Sequence, residues 1–371
     1  MGGREKGGTM AKIDFSSLYS VVGNLHSVVP FTLASSRALP PLFVQIEVTH
    51  RCNVGCPFCY QQTKLSMKDE LTLEEIRRVI DQLPAWCVLS LTGGEPFVRD
   101  DFASILEYGL KRGKCTILTN ASLVTDSHID LMVRNKLLLM AVSIDGAGDT
   151  HDGIRKSAGL FVKAIETIKK IQEKKRALNT IFPLIDIKTV IVKENIGQLS
   201  DILGLADSLS ADFITYSVPR GMDNLYSAPY REEIREICES PPSYPRLEEG
   251  DLELLTQQVS RIKEYPGKTK VRFYPANMLD ERTLGKFYRQ EVSPNHFQAC
   301  SLPWSRLSIS PHGDVYPCLS YLAGNVRKES LAQIWNGPRF REFRRCLERK
   351  RLSDFCIGCC NSVFNDTASE K

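Results

Sequence analysis

Residues 52–59 read Cys-Asn-Val-Gly-Cys-Pro-Phe-Cys and lie just beyond a short apolar run, Leu42–Val48, that predicts a β-strand. Three thiolates on one short loop can hold a single metal centre. Because a cubane iron–sulfur cluster has four irons, three cysteine ligands leave one iron open to another molecule. A zinc site with His50 as its fourth ligand is the alternative. The three thiols belong to Cys52, Cys56 and Cys59.

Further βα units follow this loop. Short apolar runs alternate with amphipathic stretches, and the clearest helix begins after Thr72, which forms a T-x-x-E capping box with Glu75. Six units in a row predict an α/β fold, a partial (β/α)6 TIM-like barrel over residues 42–218. Functional side chains then gather at the carboxyl ends of the strands. The five further strands are predicted at Cys87–Leu91, Cys115–Thr119, Leu138–Ile144, Ile185–Val192 and Phe213–Val218.

The composition is that of a globular protein, with 371 residues, 48 basic and 44 acidic side chains and twelve cysteines. It excludes a disordered or collagenous chain. Clustered cysteines form disulfides in secreted proteins and bind metals in cytosolic ones. Met1–Lys12 is Gly-rich and basic and lacks the apolar segment of a secretory signal, so we expect a cytoplasmic protein with reduced thiols.

Residues 1–41 are predicted to be an N-terminal extension. Phe15–Ser36 is uncharged and has apolar residues at helical spacing, but Pro30 interrupts it and it is too weakly apolar to span a bilayer. A helix docked on the following domain is the favoured interpretation. Contact with a membrane surface or a lipid-like substrate is the alternative.

The chain after residue 218 changes character. Residues 219–299 are rich in proline, contain one helix pattern at Asp251–Glu264, and are interpreted as a connector that lines a substrate cavity. Residues 300–371 are predicted to form a small domain: a hairpin around the turn at 311–314, then a basic helix over Leu331–Arg349.

Four cysteines of this last domain form two pairs, Cys300 with Cys318 and Cys356 with Cys359. Two pairs are enough for one four-coordinate site of zinc or iron–sulfur type. Cys346 and Cys360 are possible substitutes for a ligand, and the isolated Cys87, Cys115 and Cys238 are interpreted as buried small hydrophobes.

Arg327–Arg351 contains nine Lys or Arg against three Glu. A solvated helix face is favoured there over a nucleic-acid contact.

Gly93-Gly94-Glu95 ends the second predicted strand. Paired glycines let the backbone approach a ligand closely, and Glu95 can accept hydrogen bonds from an ammonium group. Together with the cysteine loop, in which Phe58 precedes the last cysteine, this motif resembles the radical S-adenosylmethionine (radical SAM) enzymes. The resemblance implies a [4Fe–4S] cluster held by Cys52, Cys56 and Cys59, with S-adenosylmethionine on the open iron.

The same resemblance implies a set of cofactor contacts. Gly93, Gly94 and Glu95 would meet the methionine amino group, Ser143 the ribose, and Arg155 the methionine carboxylate. Asn120 and Asn195 would lie near the cofactor, although a polar turn or helix cap explains these two residues about as well.

The C-terminal domain resembles the SPASM/twitch extension of some radical SAM enzymes, through Gly313–Cys318 and Ile334-Trp335-Asn336. The full SPASM pattern has further cysteines after its C-x-x-C, whereas here only Cys360 follows. The resemblance therefore implies one auxiliary [4Fe–4S] cluster. Its ligands would be Cys300, Cys318, Cys356 and Cys359. Because four thiolates would leave no iron open, the role of this cluster would be electron transfer or fold stabilisation.

By this resemblance, an electron from flavodoxin or ferredoxin leads to cleavage of S-adenosylmethionine, and a 5′-deoxyadenosyl radical takes a hydrogen from the substrate. The auxiliary cluster favours an oxidative outcome, a dehydrogenation or a cross-link. Peptide-modifying members of this group often carry a separate leader-binding domain, and here only about 40 residues precede the first strand. A small natural-product-type molecule is therefore favoured as the substrate over a ribosomally made peptide. A zinc-binding scaffold that contacts nucleic acid is the alternative of another class. Candidate substrate-facing residues are Tyr60, Tyr216, Arg220 and Asp223.

Overall fold

The computed structural model describes residues 28–29, 31–33, 35–59, 69–219, 246–318, 321–350 and 356–365. Most of the predicted N-terminal helix lies outside these ranges, and so do Tyr60, Arg220, Asp223 and Cys238. Among the described helices, none has the length and apolar character that crossing a membrane requires.

The alternation of strands and helices is confirmed. Each of the six predicted strands is present with boundaries that differ by at most two residues: β1 Phe43–Thr49, β2 Val88–Gly93, β3 Lys114–Thr119, β4 Leu139–Ser143, β5 Leu184–Val190 and β6 Phe213–Ser217. The helices between them are α1 Leu73–Asp81, α2 Phe102–Arg112, α3 Asp126–Arg134, α4 Asp149–Arg155, α5 Leu160–Ala177 and α6 Leu199–Ser208. All neighbouring pairs from β1 to β6 are parallel.

The described part of residues 219–299 is more regular than a connector. It forms α7 Glu249–Glu264, β7 Lys270–Tyr274 and α8 Glu281–Tyr288. Strand β7 pairs in parallel with β6, so it extends the barrel sheet by one strand. The interpretation of these residues as a connector with a single helix missed this strand.

The C-terminal hairpin continues the same sheet. Strands β8 Arg306–Ile309 and β9 Asp314–Tyr316 are antiparallel, as the turn at 311–314 predicts, and the short β10 Gly324–Asn325 follows. Strand β8 also pairs in parallel with β1, with Phe43 opposite Arg306. The result is one ten-stranded sheet in the order β10-β9-β8-β1-β2-β3-β4-β5-β6-β7.

The single basic helix predicted over Leu331–Arg349 is two helices, α9 Leu331–Trp335 and α10 Pro338–Lys350. The break falls at Asn336-Gly337, because proline is well placed at the first position of a new helix but not inside one. A Cβ at Gly337 would lie 2.7 Å from the carbonyl oxygen of Gln333.

Two arginines of the basic run are committed to internal contacts. Arg344 is completely buried, donates to the carbonyl oxygen of Pro303 at 2.9 Å, and lies 4.4 Å from the ring centroid of Trp335. Burial lowers the pKa of Arg344 to about 9. Arg327 donates to Glu75 at 2.8 Å, and this hydrogen bond is the main cause that lowers the pKa of Glu75 to about 2.

The two faces of the sheet differ. On one face, strand residues such as Ile46, Val142 and Ile187 are completely buried and share a hydrophobic core with helix residues such as Ile168 and Leu203. We call this the outer face, because the helices cover it, and the opposite face the inner face. The residues that alternate with the apolar ones point to the inner face, and a TIM-like fold places its functional side chains at the carboxyl ends of the strands.

Candidate functional site

The cysteine loop extends from the end of β1 and docks on the last turn of α4. The backbone N–H of Gly55 donates to the carbonyl oxygen of Arg155 at 3.1 Å. A guanidinium N–H of Arg155 reaches the Sγ of Cys56 at 3.4 Å, and the guanidinium lies 5.5 Å from the ring centroid of Phe58. One arginine thus fixes the loop through its main chain and its side chain.

The paired glycines serve a close approach, but to the protein's own chain. A Cβ at Gly93 would lie 2.2 Å from the carbonyl oxygen of Thr49, and one at Gly94 would lie 2.2 Å from that of Arg51. Gly93 also has a φ of +144°, a conformation that favours glycine. The N–H of Gly94 donates to Thr49 at 2.8 Å, so these glycines hold the base of the cysteine loop against β2.

Glu95 has a role inside the protein. Its side chain is completely buried, and its carboxylate accepts from the Thr119 hydroxyl and the Asn120 backbone N–H, each at 2.7 Å, and from the Phe97 backbone N–H at 3.2 Å. These bonds tie the end of β2 to the end of β3. Burial raises the pKa of Glu95 to about 7. The contact between this carboxylate and a ligand ammonium stays a prediction, and the Oε2 atom, which accepts the single hydrogen bond from Asn120, is the oxygen with more acceptor capacity left for it.

Asn120 links the end of β3 to the cysteine loop. Its Nδ2 donates to the Oδ1 of Asn53, which lies within the loop, at 2.9 Å. Its own Oδ1 accepts from the backbone N–H of Ser122 at 3.0 Å. The predicted cofactor-side residue is thus part of a polar network that the sequence indicated only through its strand-end position.

An ion pair that the sequence analysis did not single out lies behind the cysteine loop. Asp145, completely buried just after β4, accepts from the Arg155 Nε at 2.5 Å. Its backbone N–H donates to the Nδ1 of His151 at 3.0 Å. Burial lowers the pKa of His151 to about 4, so this imidazole is neutral near pH 7. Arg155 is thereby held by Asp145 on one side and faces Cys56 on the other.

Asn195 and Ser143 lie in different settings. Asn195 is completely buried, and its Nδ2 donates to the carbonyl oxygens of Asp145 and Val190 at 2.7 and 2.8 Å. Its Oδ1 accepts from the backbone N–H of Val192 at 2.9 Å. The side chain therefore joins the ends of β4 and β5 as a cap. Ser143 ends β4 on the inner face and is partly exposed there.

Tyr216 does not face a substrate cavity. It is completely buried, and its hydroxyl donates to the carbonyl oxygen of Leu199 at 2.7 Å. It points to the outer face together with Ile214. The expectation that Tyr216 faces substrate was wrong, because the alternation of side chains along β6 places Tyr216 on the helix-covered outer face.

The second cysteine site lies between β8 and the C-terminal segment. Burial raises the pKa of Cys300, and the thiolate charges of Cys356, Cys359 and Cys318 raise it further, so the four sulfurs are close enough to interact. Cys300, Cys318 and Cys356 pack against an aromatic cluster that includes Trp304 and Tyr321. Cys346 lies in α10 and Cys360 is exposed.

Both donor sets fit iron–sulfur clusters in their chemistry. Burial is the main cause that raises the pKa of Cys52 to about 11, and the charges of Glu95, Cys56 and Cys59 act in the same direction. Burial also raises the pKa of Cys56, so Cys52 and Cys56 prefer the neutral state until a positively charged group binds them. Within the described ranges, no three His, Cys, Asp or Glu side chains lie close enough together to hold a single metal ion.

Comparison with known proteins agrees with this geometry. The family model of the Radical SAM superfamily matches residues 46–203. The chain therefore contains a radical SAM domain. The SPASM model, described as an iron-sulfur cluster-binding domain, matches residues 300–360. These two domains imply a [4Fe–4S] cluster, S-adenosylmethionine and an auxiliary cluster.

The relatives of this radical SAM chain differ in what they make. It is 26% identical to the antilisterial bacteriocin subtilosin biosynthesis protein AlbA of Bacillus subtilis, over 91% of this chain and 71% of AlbA. It is 27% identical to the AdoMet-dependent heme synthase of Methanosarcina barkeri, over 86% of this chain and 91% of the synthase. The structure of Streptococcus suis SuiB bound to precursor peptide SuiA matches with a TM-score of 0.61 at 15% identity, over 97% and 79% of the two chains.

Proposed function

We propose that this radical SAM chain cleaves S-adenosylmethionine reductively at the Cys52, Cys56 and Cys59 site and completes an oxidative modification of its substrate. When bound, the cluster and S-adenosylmethionine supply a 5′-deoxyadenosyl radical that abstracts a substrate hydrogen. The observation that carries the proposal is the cysteine loop held against Gly93, Gly94 and Arg155, because it fixes three thiols at the carboxyl end of a barrel strand.

The residues around the loop have distinct tasks in this proposal. Arg155 balances the negative charge that Cys56 carries as a ligand, and Asp145 keeps the guanidinium in place. Glu95 and Asn195 are positioning residues that join adjacent strand ends. Ser143, on the inner face, remains the proposed ribose contact. Cys300, Cys318, Cys356 and Cys359 are the proposed ligands of the auxiliary cluster, which would accept an electron from the substrate radical.

The substrate class has two candidates. A small molecule remains our first proposal, and the likeness to the heme synthase supports it. A peptide is the second, since AlbA serves bacteriocin biosynthesis and matches over 91% of this chain. Deuterated candidates of both classes distinguish them, because label should appear in 5′-deoxyadenosine only from the true substrate. Flavodoxin or ferredoxin is the proposed reductant, and a cytoplasmic location agrees with it.

Anaerobic reconstitution tests the chemistry. We expect about eight irons per chain and release of 5′-deoxyadenosine on addition of S-adenosylmethionine and dithionite, measured by chromatography. Cys52→Ser should abolish this release, whereas Cys87→Ala, which changes a cysteine buried in the core away from both sites, should retain it. A chain that takes up zinc only, or a Cys52→Ser variant that still releases 5′-deoxyadenosine, contradicts the proposal.

A further inference from the structure

One row of polar side chains crosses the inner face from Ser143, and the members of the row beyond Ser143 have no part in the proposed cleavage of S-adenosylmethionine. Ser143 of β4 is the register partner of Lys188 of β5, which pairs with Thr215 of β6, which pairs with Arg272 of β7. Register partners in adjacent strands present their side chains to the same face. The row therefore begins at the proposed ribose contact and continues across three more strands.

The row carries more positive than negative charge. Asp186 lies two residues before Lys188 in β5, on the same inner face, and is 1% exposed. It accepts from the Lys188 Nζ at 2.9 Å and from the Thr215 Oγ1 at 2.8 Å. The Arg272 Nη1 lies 3.5 Å from the same carboxylate. Two cations thus share one carboxylate, which leaves an excess charge of one.

Both cations remain accessible while aromatic rings support them. The side chains of Lys188 and Arg272 are 30% and 25% exposed. The Arg272 guanidinium carbon lies 3.3 Å from the ring centroid of Phe213, and the Lys188 Nζ lies 5.4 Å from that of Tyr274. Such contacts restrict the cations without consuming their hydrogen-bond donors.

We infer that Lys188 and Arg272 bind a carboxylate group of the substrate inside the barrel. A carboxylate satisfies the excess charge and the donors that Asp186 leaves available, and in this partly desolvated setting the bond is charge-assisted. It would hold the substrate three strands or fewer from Ser143, within the same row. The inference deepens the proposed function, on which it rests, by assigning the chemical class of the substrate: an acid, either an acidic small molecule or a peptide with an acidic side chain.

Binding of defined probes to the reconstituted full chain tests this site. Coproporphyrin III and a glutamate-containing tripeptide represent the two sources of a carboxylate, and their methyl esters lack the charge. Equilibrium titration should show that the acid form of one probe binds and that its ester binds about ten-fold or more weakly. Which acid binds decides between the small molecule and the peptide. Esters that bind as well as both acids overturn the inference.

Substitutions give the test a sign. Lys188→Gln and Arg272→Gln should each raise the Kd of the acid probe about ten-fold, whereas Asp186→Asn should lower it about five-fold, since it removes a competing charge. A row that only stabilises the barrel would weaken binding in all three variants, or in none. Lys170→Gln, which breaks an exposed ion pair between Lys170 of α5 and Asp126 of α3, is the matched control and should leave the Kd unchanged.

Substrate-free release of 5′-deoxyadenosine separates this inference from the proposed function. Lys188→Gln should retain that release within about two-fold, because the contacts of the Lys188 ammonium are with Asp186 and Tyr274, which lie outside the cysteine loop. If wild-type protein binds the acid probe but releases no 5′-deoxyadenosine, the proposed function fails and the carboxylate site stands. If release occurs and the Kd is equal in wild type, Lys188→Gln and Arg272→Gln, the carboxylate site fails alone.

Discussion

The two cysteine sites have different surroundings. The loop site is ionic: Arg155 touches Cys56, and Asp145 and Glu95 lie buried behind the loop. The second site is mainly aromatic: its cysteines pack against a cluster that includes Trp304 and Tyr321, with Arg306 as a charged neighbour of Cys300 and Cys359. Charged groups near a metal centre can compensate for a change in its ligands, whereas an apolar shell insulates it. The difference agrees with the proposal that the first site binds S-adenosylmethionine and that the second one serves electron transfer or fold stabilisation.

Gly94→Ala should produce the largest effect, and only at the loop site. The new Cβ would lie 2.2 Å from the Arg51 carbonyl oxygen, which is backbone and cannot yield without moving the loop. We expect release of 5′-deoxyadenosine to fall by at least about 100-fold, as for other displacements of about 1 Å at a reacting centre. Gly250→Ala, where the Cβ would meet nothing within 4 Å, is the control. Equal activity of the two variants would show that the loop tolerates the shift.

Cys300→Ser combined with Cys356→Ser should have the next largest effect, and only at the second site. Loss of two ligands should reduce the iron content from about eight to about four per chain. Cleavage of S-adenosylmethionine should continue, while conversion of substrate stops, because the substrate radical lacks its electron acceptor. Iron analysis and chromatography of the same sample check both outcomes. A variant that retains the full iron content would show that these residues are not ligands.

A smaller effect should distinguish the sites by their response to acid. His151 binds a proton near pH 6.5 when unfolded but only near pH 4 when folded, so unfolding takes up a proton between these values. The free energy of unfolding therefore falls as the pH is lowered, by up to about 2 kcal/mol at pH 5. His151→Gln, which can still accept from the Asp145 N–H, should lose less stability. Thermal unfolding at pH 7.5 and 5.5 measures this difference, and identical pH dependence in both proteins would contradict it.

The sequence predicted the parts of the fold that depend on local pattern. Six apolar runs became β1–β6, and the Thr72 capping box is present, with Thr72 accepting from the backbone N–H of Glu75. These features rest on hydrophobic period and cap chemistry within a few residues. The cysteine spacing likewise indicated both sites, because ligand spacing is a local property.

Other features depend on which residues face each other. Strand β7 was missed because Arg272 points to the inner face and leaves only Val271 and Phe273 as an apolar signal. The burial of Glu95 and Asn195 could not be read from a strand-end position, since such a polar side chain can turn toward a ligand or toward the next strand. The break before α10 did have a signal, Gly337 followed by Pro338, which the amphipathic pattern outweighed.

The parallel pairing of β8 with β1 has a consequence for biosynthesis. During translation β1 can pair with β2 soon after both are made, but its other edge has no partner until residues 306–309 have emerged from the ribosome. An unpaired strand edge can template wrong pairings, and contacts between distant parts of a chain form slowly. Both edges of the strand that leads into the cysteine loop are therefore paired only after the C-terminal hairpin has been synthesised.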